Sequence, residues 1–427
     1  MKTMWNKSGR SFGWRAVWLV LCVEWAGLSG VLTGAENGQR PGRPASETPP
    51  AAAASERIVR SPAEFRQAVI LARGGTRILL SPGDYLGGFY FADVRGESNQ
   101  PVIIDALDPE RPPVFRDAAM ALHLARPAHV ELRNLVISNM SGNGINIDDG
   151  GELEAPAQGV TLRNLRITDV GPQGNRDGIK LSGVTGFRVE GCVIERWGTG
   201  GGSGIDMVGC HEGVIRSNVF RHTDGVGSTG VQCKGGTTRV RIQGNRFENA
   251  GGRAVNIGGS TGLQFFRPPL AAGREQCEAR DIVVEGNTFI GGQTAVAFVG
   301  VDGAVVRHNT IYRPQRWALR ILQETRHPGF VPSRHGEFTD NIIVFHSQHW
   351  AEGGVNIGTG TAPDTFRFAR NWWYCADAPA RSQPRLPTVE TDGVYGRPPG
   401  FRDAGGEDLR LGPDSPARSY GADGWRE

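Results

Sequence analysis

Eight times along this 427-residue chain the same four-residue pattern returns: a small residue, an apolar one, a variable one, and another apolar one. The copies begin at Gly144, Gly178, Gly204, Gly230, Ala254, Ala295, Ala318 and Gly354. Ahead of each stands a second apolar stretch in which one slot holds Leu135, Leu165 and Cys192, then Asn218, Asn245, Asn287, Asn309 and Asn341, with a ninth copy at Asn371. Steps cluster at 22 to 34 residues and lengthen where loops are inserted, as between about 258 and 280. A repeat of this size built from short strands cannot bury its apolar face alone. It does so by stacking on its neighbours, which makes the chain a solenoid.

The alternation also sets direction. In the copy at Gly178, a period of two sends Ile179 and Leu181 inward and Lys180 outward. The Asn slot follows a strand at a bend, where each amide meets the same amide one coil away, roughly 4.8 Å along the axis. That spacing predicts a structural ladder. Glycine, at 62 residues, falls between the alternations at turn positions, and helical periodicity is nearly absent after residue 72. The exception is Ser61-Pro62-Ala63-Glu64, a capping-box pattern followed by Phe65, Ala68, Val69 and Ala72 at helical spacing. One amphipathic helix, about 62–72, is expected to cover the open end of the solenoid, whose first coil is Thr76 to Leu80 and whose main coils run from about 130 to 375.

Residues 1–35 carry Lys2, Lys7, Arg10 and Arg15 ahead of an apolar run and small residues, the order of a secretory signal. Residues 36–56 are rich in Pro, Ala and Gly, the composition of a disordered linker. The expected organisation is therefore an exported chain, extracellular or periplasmic, with one domain over 57–420 and a tail over 421–427. The precursor has net charge +3, and removal of 1–35 leaves 43 bases against 43 acids, a balance that argues against nucleic acid as a partner. No membrane association is expected after cleavage, and the chain is expected to be a monomer. Five cysteines remain, in no zinc-binding spacing; Cys277 and Cys375 are candidates for a disulfide near the C-terminal coils.

Phe65 to Ala68, then Arg77 through Leu80, Ser81-Pro82-Gly83-Asp84-Tyr85, and the closing segment Gly406 to Leu411 with Ser415-Pro416-Ala417 resemble the pectin-lyase-like superfamily over about 57–420. The resemblance implies an all-β, single-stranded right-handed parallel β-helix with an N-terminal capping helix. It also implies an acidic polysaccharide along one sheet, and for many members cleavage by β-elimination.

Aligned outward slots give Asn146, Lys180, Asp206, Gln232, Asn256, Ala297, Arg320 and Asn356 as one row, with Lys180, Asp206, Gln232 and Asn256 separated by 26, 26 and 24 residues. The next outward slot holds Asp148, Ser182, Val208 and Lys234. β-Elimination needs a cation or charged group against the uronate carboxylate, a base for the C5 proton and a donor for the leaving oxygen. A lysine beside a second cation can have a lowered pKa, so Lys180 and Lys234 are the candidate bases or carboxylate partners. Asp206 is their orienter or a Ca²⁺ ligand, and Asn146, Arg176, Asp177, Gln232, Arg253, Asn256 and Arg267 are candidate sugar contacts. Trp197, Phe265, Phe266 and Trp317 are candidates to rim the groove from loops.

A lyase is the leading reading. C5 epimerisation starts with the same proton abstraction. A polygalacturonase-like hydrolase is also open, since Asn175-Arg176-Asp177 is similar to that family's Asn-Thr-Asp segment. Its adjacent Asp pair, Gly-His-Gly and Arg-Ile-Lys have no counterparts here, and Asp177 with Asp206 is the one candidate carboxyl pair. A non-catalytic carbohydrate-binding or cell-surface scaffold is the reading from a different class.

Overall fold

The computed structural model describes residues 55–223 and 227–426. The expected signal segment, and nearly all of the expected linker, lie outside them. Among the described residues the chain winds through three long parallel sheets of 13, 10 and 12 strands, with one strand of each sheet in most coils. Inward residues such as Ile145, Ile179, Ile205, Val231 and Val255 are fully buried and stack coil upon coil into one continuous core. No helix among the described residues is long and apolar enough to cross a membrane.

Each coil bends just before the Asn slot through a residue in the left-handed region: Asn134, Asn164, Ser217, His308, Asp340 and Arg370 at φ between 50° and 56°, with glycine in the remaining coils. Beyond the bend the ladder forms as the spacing requires. The Asn218 Oδ1 accepts from the Cys192 N–H at 2.8 Å, and the Oδ1 atoms of Asn245, Asn287, Asn309, Asn341 and Asn371 each accept both the backbone N–H and the Nδ2 of the preceding asparagine at 2.9 to 3.0 Å. Glu390 closes the series by accepting from Asn371. Phe220, Phe247 and Phe289 stack beside it at 4.7 and 4.8 Å.

The helix spans Pro62–Ile70, with the Ser61 side chain accepting from the Glu64 N–H and Glu64 accepting from the Arg60 N–H. It ends two residues before the expected Ala72. Its Phe65 is fully buried against the rings of Tyr85, Phe89, Phe91 and Phe115, so the helix is a lid, as expected.

Four expectations change. The sheet begins one strand earlier, because Glu56–Val59 pairs with Arg77–Leu80. Coils also form ahead of residue 130, through Phe89–Ala92 and Leu122–Ala125. Residues 421–425 pack on the coils: the Gly421 and Ala422 N–H groups bond Asp340 O and Thr310 Oγ1, and the Trp425 ring lies over Gly286. Finally, Cys192, Cys210, Cys233, Cys277 and Cys375 are all free thiols. Cys277 lies in the insertion leading into the 13-stranded sheet while Cys375 ends a strand of the 12-stranded sheet, so the two stand on different faces.

Candidate functional site

The 10-stranded sheet carries the outward row in the register expected. Asn146 pairs with Lys180, Lys180 with Asp206, Asp206 with Gln232, Gln232 with Asn256, and the row continues through Ala297 and Arg320 to Asn356. Asp148, Ser182, Val208 and Lys234 form the adjacent lane. Two further residues extend the row: His123 pairs with Asn146, and Tyr90 with His123. Their strands obey the same pattern, with Gly88 and Ala121 in the small slot. The signal was present in the sequence, and only the starting point of the count missed it.

Above this sheet opens a cleft of about 620 Å³ lined by Tyr90, His123, Asp148, Asn175, Lys180, Lys234, Phe265 and Arg267, among others. Its floor is an ion cluster. Asp206, 1% exposed, takes the Lys180 ammonium on Oδ2 and has Lys234 Nζ 3.1 Å from Oδ1, the latter an ion pair without hydrogen-bond geometry. Asp177 lies below Lys180, 3.6 Å from its Nζ, and accepts the Ser203 N–H at 2.8 Å. Burial and the neighbouring Asp206 charge push Asp177 up to about 7. Burial pulls Lys180 down, but Asp206 and Asp177 outweigh it and hold the ammonium above its ordinary value.

That charge pattern corrects three sequence-based roles. Lys180 is not prepared as a base: the carboxylate between it and Lys234 cancels the cation–cation repulsion that would have lowered its pKa. Both oxygens of Asp206 face ammonium groups, so Asp206 does not fit a Ca²⁺ ligand, and among the described residues no three His, Cys, Asp or Glu side chains gather in a metal-binding cluster. Asp177 and Asp206 do not stand free as a hydrolytic pair either: both are buried, and both contact the Lys180 ammonium.

At the other end of the cleft, His123 Nε2 lies 2.6 Å from Asp148 Oδ2. Burial raises Asp148, but the hydrogen bonds from His123 and from the Gly150 N–H outweigh it and keep the carboxyl below the usual range. In a neutral ring an ionised Asp148 favours the imidazole proton on Nε2, and Nδ1 has no hydrogen-bond partner among the described residues. The Tyr90 ring stands edge-to-face on His123, 5.0 Å between centroids, with its face open to solvent.

The remaining predicted contacts divide. Arg267 reaches the cleft from the insertion but is buried in a two-bond pair with Asp149, at 2.5 and 3.0 Å, so it fastens the insertion to the coils. Gly183 permits that approach. A Cβ there would meet Asp149 Oδ2 at 2.2 Å, and its φ of +63° disfavours other residues. Glu278 fastens the insertion a second time by accepting from Gly235 N and Thr261 N, both at 2.9 Å. Gln232 and Arg253 line a separate depression of about 340 Å³ that shares Lys234 and Ser260 with the main cleft. Arg253 there bonds Glu324 at 2.6 Å and Asn256 at 3.1 Å. Asn256 is buried, braced by Arg253 and the Gly258 carbonyl, and Asn146 accepts from Asn143, so these amides serve the sheet. Arg176 is exposed but outside the cleft lining. Of the aromatic candidates, Trp197, Phe266 and Trp317 are buried, and Phe265 alone is exposed at the rim.

A profile described as "Right handed beta helix region" matches residues 115–267. Among solved structures, the chain is similar to an alginate lyase from Paenibacillus sp. str. FPU-7, at 16% identity and TM-score 0.51, over 74% of this chain and 99% of that one. It is also similar to the GH136 lacto-N-biosidase from Eubacterium ramulus, at 16% identity and TM-score 0.54, over 78% of this chain and 64% of that one. No curated protein sequence matches it. At these identities the likeness is one of fold. The chain has the fold of a right-handed parallel β-helix.

Proposed function

We propose that this is an exported polysaccharide lyase that binds an acidic polysaccharide along the 10-stranded sheet and cleaves it by β-elimination. The observation that carries the reading is the placement, in one cleft, of two ammonium groups over a shared buried carboxylate and of a histidine whose second nitrogen is held by an aspartate. The fold's use on alginate in the Paenibacillus enzyme supports the same substrate class.

In this reading Lys180 and Lys234 face the uronate carboxylate and stabilise the charge that builds on it as the C5 proton leaves. His123 Nδ1 takes that proton, with Asp148 fixing the ring and stabilising the imidazolium. The C4–O bond breaks as the C4=C5 double bond forms, and the Tyr90 hydroxyl gives its proton to the departing oxygen. His123 and Lys180 stand two coils apart, roughly 10 Å at strand spacing, so the base and the carboxylate clamp approach a bound sugar from different sides.

The test is incubation of the full chain with a panel of uronate polymers, following the ultraviolet absorbance of the unsaturated product. Absorbance should grow with at least one polymer and should fall at least about 100-fold in Lys180→Met/Lys234→Met/Asp206→Asn, which removes both ammonium groups and the carboxylate between them while keeping the volume. Full activity in that variant would remove the mechanism; reducing ends released without absorbance would make the protein a hydrolase.

A further inference from the structure

A second surface faces away from the cleft, on the 13-stranded sheet. Two outward lanes run side by side there. One holds Arg163, Glu190, Arg216, Gln243, Glu285 and Arg307 in register; the other carries Arg188 and Arg241 between Val214, Val283 and Val305. From Arg163 to Arg307 is five coil steps, about 24 Å at strand spacing.

The charge on these lanes is unequal in amount and in depth. Over the coils from Arg163 to Arg307, five arginines stand against two glutamates, with Glu131 and Glu337 bordering the stretch, and the two glutamate side chains are 8% and 4% exposed while the arginine side chains are 37% to 54% exposed. Glu190 accepts from Arg163, Arg188 and Arg216 at 2.9, 3.3 and 3.0 Å. Glu285 serves Arg241 at 3.1 Å and Arg307 at 2.8 Å. Each buried carboxylate therefore acts as an anchor for two or three cations whose side chains stay 37% to 54% exposed. A guanidinium matches a carboxylate through two parallel hydrogen bonds. The half-buried valines between the charges offer apolar surface to the faces of sugar rings.

We infer that this arginine track is a non-catalytic binding surface for a polyuronate chain, separate from the cleft. It rests on the proposed function only for the identity of the polymer. The track holds an acidic chain by carboxylate–guanidinium pairs repeated at the coil spacing, and so keeps the protein on its polymer while the cleft works elsewhere along it.

The experiment is affinity electrophoresis of the full chain through gels containing a polyuronate, alongside Arg163→Gln/Arg188→Gln/Arg241→Gln. That variant leaves Glu190 with Arg216 and Glu285 with Arg307, so no buried carboxylate is stranded; circular dichroism and the melting temperature check its fold. Retardation should weaken at least about fivefold in the variant, should fade with added salt in the parent, and should persist when the cleft charges are removed by the Lys180→Met/Lys234→Met/Asp206→Asn change. Cleavage of short oligosaccharides should be the same in the arginine variant and the parent. Arg188→Glu/Arg241→Glu is the second variant, expected to abolish what glutamine leaves. Undiminished retardation of both variants, loss of all retardation in the cleft variant, or retardation by duplex DNA but not by polyuronate would each overturn the inference. A parent that binds but never cleaves sinks the lyase reading and leaves this one standing.

Discussion

The asparagine ladder and the outward row of the 10-stranded sheet are built by the same rule, one side chain per coil, yet they do opposite things. In the ladder every rung is the same amide, each one's donors meet the next one's acceptor, and the asparagines are 2% exposed or less. Nothing is left over for a ligand. In the row, Tyr90, His123, Asn146, Lys180, Asp206 and Gln232 differ from rung to rung, so charges pair only in part, and Tyr90, His123 and Lys180 line a cleft. Sameness along a solenoid satisfies its own polar groups; difference leaves chemistry exposed. Toward the C-terminal coils the neighbouring positions turn apolar, with Ala297, Val299 and Leu322 buried together, and the site ends.

That contrast is sharpest where a change should alter function and spare the fold. His123→Gln should lower the rate of product formation by about 10²- to 10⁴-fold with an unchanged melting temperature, because it removes a base and no core contact. Kinetics and thermal denaturation side by side check it. A ladder rung should behave in reverse. Asn287→Ala strips the acceptor from two Asn245 donors and should cost about 3 kcal/mol in denaturant unfolding, while the rate per folded molecule stays the same.

A smaller, pH-dependent effect is expected at Asp177. Its folded pKa of about 7 lies above the ordinary carboxylate value, so ionising it opposes folding. Stability should decline as pH rises from that ordinary value toward 7 and then level off. Over the same range the cluster of Lys180, Lys234, Asp206 and Asp177 passes from net +1 to neutral, so affinity for a polyuronate should weaken on the order of tenfold above pH 7. Asp177→Asn should flatten both profiles; a parent whose melting temperature and affinity already ignore pH between 5 and 8 contradicts the assignment.

Much of this was legible beforehand because a solenoid turns sequence period into spatial neighbourhood. The spacing of Lys180, Asp206 and Gln232 alone placed them side by side, and the Asn slots alone announced a ladder. What failed did so for reasons that lie off the repeat. Arg267 comes from an insertion whose path no period describes, so its partner Asp149, 118 residues away, was invisible. The same holds for Arg253, which spends its charge on Glu324 across another loop. Lys180 was misjudged because pKa depends on depth as well as on neighbours, and the burial of Asp206 beneath two ammonium groups is a fact of three dimensions.

The amino-acid order by itself determined the coil, the lid helix, the ladder and the register of the outward row, since each follows from a local alternation repeated at nearly constant distance. Only the tertiary structure decided which of those outward groups face a cleft and which are braced or buried, and that His123 is held by Asp148. The physical reason is that hydrogen-bond direction, burial and electrostatic pairing depend on where insertions fold back over the sheet, and no repeat encodes that path.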